Sequence, residues 1–446
     1  MKKTNSNGAG RWPSALRALN HRNFRLFFAG QLVSLTGTWI QTVAQSWLVY
    51  RLTGSATLLG LVGFSGQIPV FLLAPFGGAV ADRHPRRSII IATQTASMLT
   101  ALLLAALTLT GRVAVWHVYL LAGLLGVINA FDIPARQAFI VDMVGKGDFM
   151  NAIALNSSMF NGARIIGPAI AGVLVAAVGE GWCFFINGVS YIAVIAGLLA
   201  MEVKKPVRAG PQRSALFGIL EGFRYVVRTG PIRALLLLLG LVSLLGMPYA
   251  VLMPIIADRI LHGGASGLGL LMGASGIGAL LGTLGLAMRR QLHGLETWVI
   301  FSSIGLGVSL ILFSLSRSFW LSAALLIPVG SSMMVGMAAS NTLIQAMVPD
   351  SLRGRVMAVY SMMFMGMAPF GALLAGLLAD RVGAPMTIGI GGGASILGSL
   401  IIGSRLRALR HETRQLVVAL EMAGGDPADE MTGEGNLLPS QQKEQG

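Results

Sequence analysis

The chain has 446 residues, of which 54% are hydrophobic and 11% charged, with a formal net charge of +15 and a mean hydropathy of +0.71. Soluble domains carry about 25% charged residues, so this composition excludes a soluble globular fold and disorder of the bulk of the chain. One Cys and 6 scattered His exclude a disulfide framework and a Cys-based or paired-His metal site. We therefore expect neither a metal nor a cofactor.

Twelve apolar segments follow a polar, basic tail at 1–23, which lacks the features of a cleavable signal peptide. Each segment has about the 20 residues that a helix needs to cross a bilayer. The segments lie at 24–50, 55–81, 88–110, 113–134, 150–178, 181–202, 231–257, 265–288, 297–315, 319–346, 354–379 and 385–404. The sequence therefore predicts an all-α polytopic membrane protein with twelve transmembrane helices.

The longest polar stretch inside the chain divides six spans from six. We expect a six-helix bundle at 24–202, a cytosolic linker at 203–230, a second six-helix bundle at 231–404 and a partly disordered cytosolic tail at 405–446. Within the linker, apolar residues at helical spacing predict a helix on the membrane surface over Ala215–Arg228.

The two halves repeat each other. Met143–Gly179 aligns with Met347–Gly383 at a shift of 204 residues, with 13 identities in 37 positions. Leu32–Leu35 likewise matches Leu241–Leu244. Six-helix repeats in the same orientation are the plan of a transporter that rocks about a central site, so we expect two pseudo-repeats.

Basic residues lie mostly on one side of the predicted topology. If the first segment begins in the cytosol, 27 of the 33 Lys and Arg residues lie on the cytosolic side and five in the outer loops. This bias predicts a multi-pass protein of the cell (inner) membrane with both termini in the cytosol. It also accounts for the net charge through basic loops facing an anionic leaflet, so we expect no nucleic-acid partner.

A charged motif joins the second and third segments: Gly78-Ala-Val-Ala-Asp82-Arg83-His-Pro-Arg86-Arg87. It resembles the G-x-L-A-D-R-x-G-R-[KR] signature of the major facilitator superfamily, departing from it at positions 80 and 85. The resemblance implies a cytosolic gate in which Gly78 lets helix 2 approach helix 11, Asp82 caps a facing helix and Arg86 bridges to a second carboxylate. An ordinary basic loop is the alternative.

The resemblance implies that this second carboxylate is Asp132, near the inner end of the fourth segment, with Arg136 one turn further on. A helix-end residue facing water and a carrier of the coupling proton are the alternatives for Asp132. The run from Asp132 to Arg136 is similar to that of enterobactin exporters and macrolide efflux proteins, a branch in which export is driven by protons.

Arg164 is the basic residue that belongs to neither side. It lies about 12 residues, or about 18 Å, beyond the inner end of the fifth segment. A charge at that depth is functional by default, and we expect it to attract an anionic substrate group or to sense protonation. A structural Arg held by backbone carbonyls is the alternative. We expect no acid in mid-membrane. The surrounding Gly162, Gly167, Pro168 and Gly172 resemble the helix-5 motif of antiporters in this superfamily.

Polar residues step by three or four along the first segment and therefore share one helix face. They are Gln31, Ser34, Thr38, Gln41 and Gln45, and Asn161 and Asn187 add to them on other segments. Such a stripe faces other helices or water rather than lipid, so we expect it to line a substrate cavity. For any single residue, an interhelical hydrogen bond is an equal alternative.

These features favour a secondary active transporter over an enzyme. No GxxxxGK[ST] motif is present, so an ATP-driven pump is unsupported. By resemblance, we expect a monomeric proton-coupled exporter of drugs, siderophores or similar small amphipathic molecules, working by alternating access in a lipid bilayer. A lipid or lysophospholipid transporter of the same fold, and a scaffold or channel that transports nothing, are the other hypotheses.

Overall fold

The structure, a computed structural model, describes residues 14–145, 147–202, 215–288 and 294–404. The described chain is helical without strands, and eleven of its helices are long and apolar enough to cross a membrane. The predicted all-α membrane class is therefore confirmed. The start of the N-terminal tail, the first part of the linker and the C-terminal tail lie outside the described residues.

Six long helices form the first half of the molecule. A 3₁₀ helix at Ser14–Asn20 leads into α1 (Arg22–Thr53), α2 (Ala56–Arg83), α3 (Arg86–Leu109), α4 (Val115–Val144), α5 (Phe149–Val178) and α6 (Glu180–Leu199). The helix α1 is not one of the eleven, because Gln, Ser and Thr side chains along it lower its hydropathy. It packs closely on α6, where a Cβ at Gly30 would lie only 2.9 Å from the Ala193 carbonyl oxygen.

The second half begins with a broken span. After α7 (Ala215–Arg228), the stretch Gly230–Ile260 contains α8 (Gly230–Leu241), a π turn (Val242–Gly246), α9 (Tyr249–Ile255) and a second π turn (Ile256–Ile260). Pro248 lies between the first π turn and α9, and the Met247 N–H bonds to the carbonyl of Val242 five residues back. The remaining helices are α10 (Gly264–Ala287), α11 (Leu295–Leu315), α12 (Phe319–Ala346), α13 (Asp350–Val382) and α14 (Ala384–Gly403).

With Gly230–Ile260 taken as one span, the described chain makes twelve passes in alternating directions. We name the end of the bundle that holds the start of α1 and the end of α14 the terminal face, and the other end the distal face. The two halves meet near the distal face, where α2 packs on α13 and α5 packs on α10. A Cβ on Gly172 of α5 would lie 3.0 Å from three backbone atoms of α10, one of them the Gly269 Cα.

The repeat seen in the sequence extends to backbone detail. The helices α5 and α13 both end at a glycine with positive φ, Gly179 at 85° and Gly383 at 88°. Seven residues earlier, Gly172 and Gly376 occupy equivalent positions, and each meets a helix of the other half. A Cβ on Gly376 would lie 3.1 Å from the Cα of Gly60 in α2. The α2–α13 and α5–α10 contacts are therefore equivalent within the repeat.

Candidate functional site

A cavity of about 370 Å³ lies between the two halves, towards the distal face. The middle and distal part of the α1 stripe supplies its polar wall. Thr38, Gln41 and Gln45 line it together with Asn187 of α6, and all four belong to the polar residues singled out in the sequence. Gln67 of α2 and Asn129 of α4 add two further amides, while Ala250, Val251 and Met272 close the side formed by the second half.

Two amides of this wall, Gln41 and Asn187, hold each other in position. The Asn187 amide donates a 2.7 Å hydrogen bond to Oε1 of Gln41, and the Ser190 hydroxyl bonds back to Asn187. Gly37 makes room for this contact, because a Cβ there would lie 2.6 Å from the Ser190 hydroxyl oxygen. The cavity therefore presents a neutral, preorganised set of donors and acceptors.

Three residues of the predicted stripe lie away from the cavity wall. Gln31 and Ser34, nearer the terminal face, are buried at 1% and 3% exposure inside the first half. Asn161 of α5 donates to the backbone carbonyl of Ser157 in its own helix, 2.9 Å away. The stripe on α1 therefore has two environments. Its middle and distal part faces the space between the halves, and its terminal part is buried inside the first half.

Arg164 lies on α5 beside the cavity wall, about 22 Å from the start of the helix. Its guanidinium carbon is 5.9 Å from the ring centroid of Trp39, which lines the cavity, and Nη1 lies 3.9 Å from the sulfur of Met334. No carboxylate of the described chain pairs with it. A half-buried cation held only by an aromatic face and a thioether leaves most of its hydrogen-bond donors free for a ligand.

The glycine-rich run around Arg164 brings α5 against its neighbours. Gly167 contacts the Trp39 side chain and the backbone of α1, and Gly172 contacts α10. The Pro168 carbonyl meets Gly269. Gly162, by contrast, faces open space, so close packing explains three of the four motif residues and not this one.

Asp132 lies deeper than the sequence indicated. We expected it near the inner end of the fourth segment, but α4 continues through Pro134 and Arg136 to Val144, so Asp132 lies about 18 Å from the helix end. It is only 3% exposed. The expectation that no acid occupies mid-membrane is therefore wrong.

Asp132 is the centre of a buried polar network within the first half. Thr93 and Gln94 of α3 donate to its Oδ1 at 2.7 and 3.0 Å, and the Arg136 guanidinium lies 3.4 Å from Oδ2. Arg136 also donates to Gln31 of α1 at 3.1 Å. Two buried amide atoms, Nε2 of Gln31 and Oε1 of Gln94, have no partner. The network has spare capacity to bond in a second arrangement.

The expected pair between Asp132 and Arg86 does not form. Arg86 instead bonds to both carboxylate oxygens of Asp142 at 2.9 and 3.0 Å, and to the Ala138 carbonyl oxygen at 3.2 Å. Asp142 lies ten residues beyond Asp132, at the terminal end of α4. It was missed because the predicted fourth segment stopped at 134.

The other residues of the expected gate do not contact α13 in this structure. Gly78 faces open space, and the neighbouring Gly77 makes the close contact, with Ala130 of α4 rather than with α13. Asp82 and Arg83 are exposed, and Asp82 caps no described helix. The terminal ends of α2 and α13 are therefore not joined by this motif, while the distal ends of the halves are.

Charged residues also join the two halves at the distal face. Tyr50 of α1 donates a 2.6 Å hydrogen bond to Asp258, and the Arg259 guanidinium lies 5.6 Å from the Tyr50 ring centroid. Asp380 of α13 accepts hydrogen bonds from the first residues of α2. A signal for Asp380 was present, because Gly376–Arg381 repeats the G-x-L-A-D-R pattern.

Halves packed together at the distal face, a polar cavity between them and terminal ends that the gate motif does not join together describe a carrier. The transmembrane secretion effector family matches this chain over residues 13–430. The chain belongs to this family. It is a transporter of the major facilitator type, not an enzyme, and the resemblance seen in the sequence is confirmed.

Relatives of this secretion effector include exporters of two kinds. It is 27% identical to the staphyloferrin A transporter of Staphylococcus aureus over 380 residues, covering 84% of this chain and 94% of the relative. It is 30% identical to the multidrug efflux pump Tap of Mycolicibacterium fortuitum over 376 residues, covering 80% and 89%. It is 26% identical to the enterobactin exporter EntS of Shigella boydii over 398 residues, covering 89% and 93%.

Solved structures share the fold of this family member at low sequence identity. A transporter of the POT family superimposes with a TM-score of 0.73 at 12% identity, covering 87% of this chain and 96% of the other. The nucleoside transporter NupG gives a TM-score of 0.66 at 14% identity, covering 87% and 99%. These likenesses establish the major facilitator architecture.

Proposed function

We propose that this transporter is a proton-coupled exporter of small amphipathic molecules that carry an anionic group. The observation that carries the proposal is Arg164, a cation in the membrane-spanning part of α5 with no carboxylate partner among the described residues. Relatives that export siderophores and drugs support the direction of transport and the size of the cargo.

Arg164 is costly to keep without a ligand. A charged side chain near the bilayer centre costs about 2.5–3.5 kcal/mol on insertion scales, unless a cavity or a partner compensates it. Trp39 and Met334 compensate little of this, because neither accepts a strong hydrogen bond. An anionic group docked on the guanidinium would form charge-assisted hydrogen bonds, while the Trp39 face would hold an apolar or aromatic part beside it.

The bias of basic residues supports a cytosolic terminal face in the cell (inner) membrane. In that orientation the structure is open to the cytosol and closed outside. An exporter in this state would take its substrate from the cytosol, past Arg164, into the cavity that Thr38, Gln41 and Asn187 line. Rocking of the halves would then close the terminal face and open the distal one.

Asp132 is the acid best situated to carry a coupling proton. It is buried, belongs to the same half as the cavity wall, and lies one turn from Asn129, which lines the cavity. In this state the Arg136 guanidinium lies 3.4 Å from its Oδ2. Gln94 has an unpartnered oxygen and could bond the protonated form after its amide rotates.

The test of the substrate site is efflux from cells that lack their own exporters. We expect export of an anionic dye such as carboxyfluorescein to fall at least tenfold in Arg164→Gln and to persist partly in Arg164→Lys. Arg317→Gln is the matched control, because it removes a cation from a distal loop where, among the described residues, Arg317 bonds only the carbonyls of Ser314 and Ser316. Unchanged export by Arg164→Gln of every anion tested would refute the proposal. Transfer of a labelled lysophospholipid instead of dyes would favour the lipid alternative.

Proton coupling is tested in vesicles of the purified protein. We expect protons to move against the substrate, so that the compartment the substrate leaves becomes more acidic. Asp132→Asn should abolish this acidification while exchange of substrate for substrate continues. Loss of both processes in a well-folded Asp132→Asn would assign the residue to binding rather than to coupling. Substrate movement without any proton flux in the unmodified protein would refute the coupling itself.

A further inference from the structure

The short sequence that forms the expected terminal gate occurs twice in the chain. Gly78–Arg83 ends α2 at the terminal face, and Gly376–Arg381 ends α13 at the distal face, each with the order Gly-x-x-Ala-Asp-Arg. The two helices are antiparallel and packed together. Each therefore carries an aspartate, Asp82 or Asp380, at the end where the other helix begins.

Asp380 is engaged in this structure. Its Oδ1 accepts the Ala56 N–H at 2.9 Å, and its Oδ2 accepts the Thr57 N–H and the Ser55 hydroxyl, both at 2.9 Å. These are the first donors of α2, which have no partner within their own helix and lie at the positive end of its dipole. One carboxylate of the second half thus satisfies the start of a helix in the first half.

Asp82 is free in the same structure. It is exposed and has no partner among the described residues, and no described side chain caps the first turn of α13, which Pro349 precedes. The two aspartates are therefore in opposite conditions: Asp380 is bonded at the face where the halves meet, and Asp82 has no described partner at the other face. When the terminal ends approach, the start of α13 becomes the nearest set of free backbone donors to Asp82.

We propose that Asp380 is a second gate residue, which holds the distal face closed by capping α2 and must release it before that face opens. Asp82, whose gate role is implied by its motif, acts in the opposite state. The inference rests on the alternating access proposed above and adds the residue that holds one of its two states. Asp380 positions the halves and does not touch the substrate.

The repeat supplies an internal comparison. The equivalent contact between α5 and α10 has the same glycines, Gly172 and Gly269, but Ala176 stands where α13 has Asp380. Both contacts close the distal face by helix packing, and only one adds a carboxylate. The carboxylate is therefore dispensable for the packing of such a pair, which favours a role in the balance between states over one in folding.

The test measures both ends of the molecule in lipid nanodiscs. Spin labels at Arg112→Cys with Arg317→Cys report the distal face, and labels at Met150→Cys with Met288→Cys report the terminal face, in a Cys183→Ser background. All four label positions are exposed. We expect Asp380→Asn to raise the ratio of distal-open to distal-closed protein about tenfold, as loss of a charge-assisted hydrogen bond commonly does. Asp82→Asn should lower the same ratio.

Two controls separate gating from damage. Arg381→Gln changes an exposed charge on the same turn of α13 and should leave both distance distributions unchanged. Ser55→Ala removes one of the three hydrogen bonds to Asp380, together with the cap that the same hydroxyl gives the Leu58 N–H. It should shift the ratio in the same direction by a smaller factor, and by less still in Asp380→Asn.

An unchanged ratio in folded Asp380→Asn, or shifts of the same sign in Asp380→Asn and Asp82→Asn, would overturn the inference while leaving the exporter proposal intact. A single distance at both faces in every variant, together with active efflux, would refute alternating access and the gate with it.

Discussion

Replacing Gly376 by Ala should open the distal face without touching any charged residue. The glycine lies where α13 crosses the first turn of α2, and a Cβ there would be 2.5 Å from the Ala56 carbonyl oxygen and 3.1 Å from the Cα atoms of Gly60 and Thr57. All three atoms are backbone, so no side chain can turn aside. The halves would have to separate by about 1 Å to restore ordinary contact.

The energy of this clash acts on only one state. Overpacking of this kind costs about 1–3 kcal/mol, and when the distal ends are apart the methyl group meets nothing. The ratio of distal-open to distal-closed protein should then increase by a factor between about 5 and about 100, since about 1.4 kcal/mol corresponds to a factor of ten. Gly393→Ala is the matched control, because Gly393 of α14 has no atom of another element within 4 Å and no place in either expected gate.

Labelling of a cysteine in the cavity measures the effect. Ser46→Cys, in a Cys183→Ser background, places a thiol on the cavity wall beneath the distal closure. A membrane-impermeant maleimide applied to the distal side should label it faster in Gly376→Ala than in Gly393→Ala, by the factor given above. Equal labelling rates in the two variants would show that the contact does not hold the distal face closed.

Other predictions concern the first half. Asp132→Leu leaves the half-buried Arg136 without its carboxylate partner, so we expect a loss of about 3 kcal/mol in thermal unfolding in detergent, partly restored by Arg136→Met. An unaffected unfolding midpoint would contradict the pairing. Arg86→Ala and Asp142→Ala should each cost less than about 1 kcal/mol and leave distances between the halves unchanged, because the pair is partly exposed and lies within one half. The pKa of the Asp148 carboxyl, in the loop between α4 and α5, lies below its ordinary 3.8, chiefly because the His21 side chain donates a hydrogen bond, which outweighs desolvation. This contact stabilises the start of α1 at pH values above the ordinary pKa and weakens as the pH falls through the lowered pKa. Amide hydrogen exchange at Arg22–Arg25 that already becomes faster at about pH 6 would contradict it.

The sequence predicted the helices well because runs of apolar residues mark membrane spans. It failed where the helix continues beyond the end of the apolar run. The fourth segment ended at 134 in the sequence because Pro134 and Arg136 interrupt the apolar run, yet α4 continues to Val144. Proline is tolerated there by neighbouring helices, and Arg136 is compensated by Asp132. That one misplaced end put Asp132 at the surface and left Asp142 out of the reasoning.

The cavity wall could be predicted and the gate only in part. Spacing of three and four identified the polar face of α1, because the helical repeat alone fixes which side chains share a face. Which glycine packs cannot be read from one helix: Gly77 and Gly78 point about 100° apart, and only the position of α4 decides between them. Asp380 was overlooked because the gate motif was considered only at the end of the second segment, and not at the distal end of the helix that packs against it.

The polarity of α1 has a consequence for how the chain is made. A helix that polar side chains make less apolar than the other spans has less tendency to stay in a bilayer alone, and the Gln41 amide finds its partner only when α6 is present, 146 residues later. The hydrogen bond between Gln41 and Asn187 and the close contact of Gly30 with the backbone at Ala193 both form only after α6 has been synthesised. During synthesis, the first helix to leave the ribosome would thus be among the last of its half to be secured. A chain interrupted before α6 would expose it to quality control.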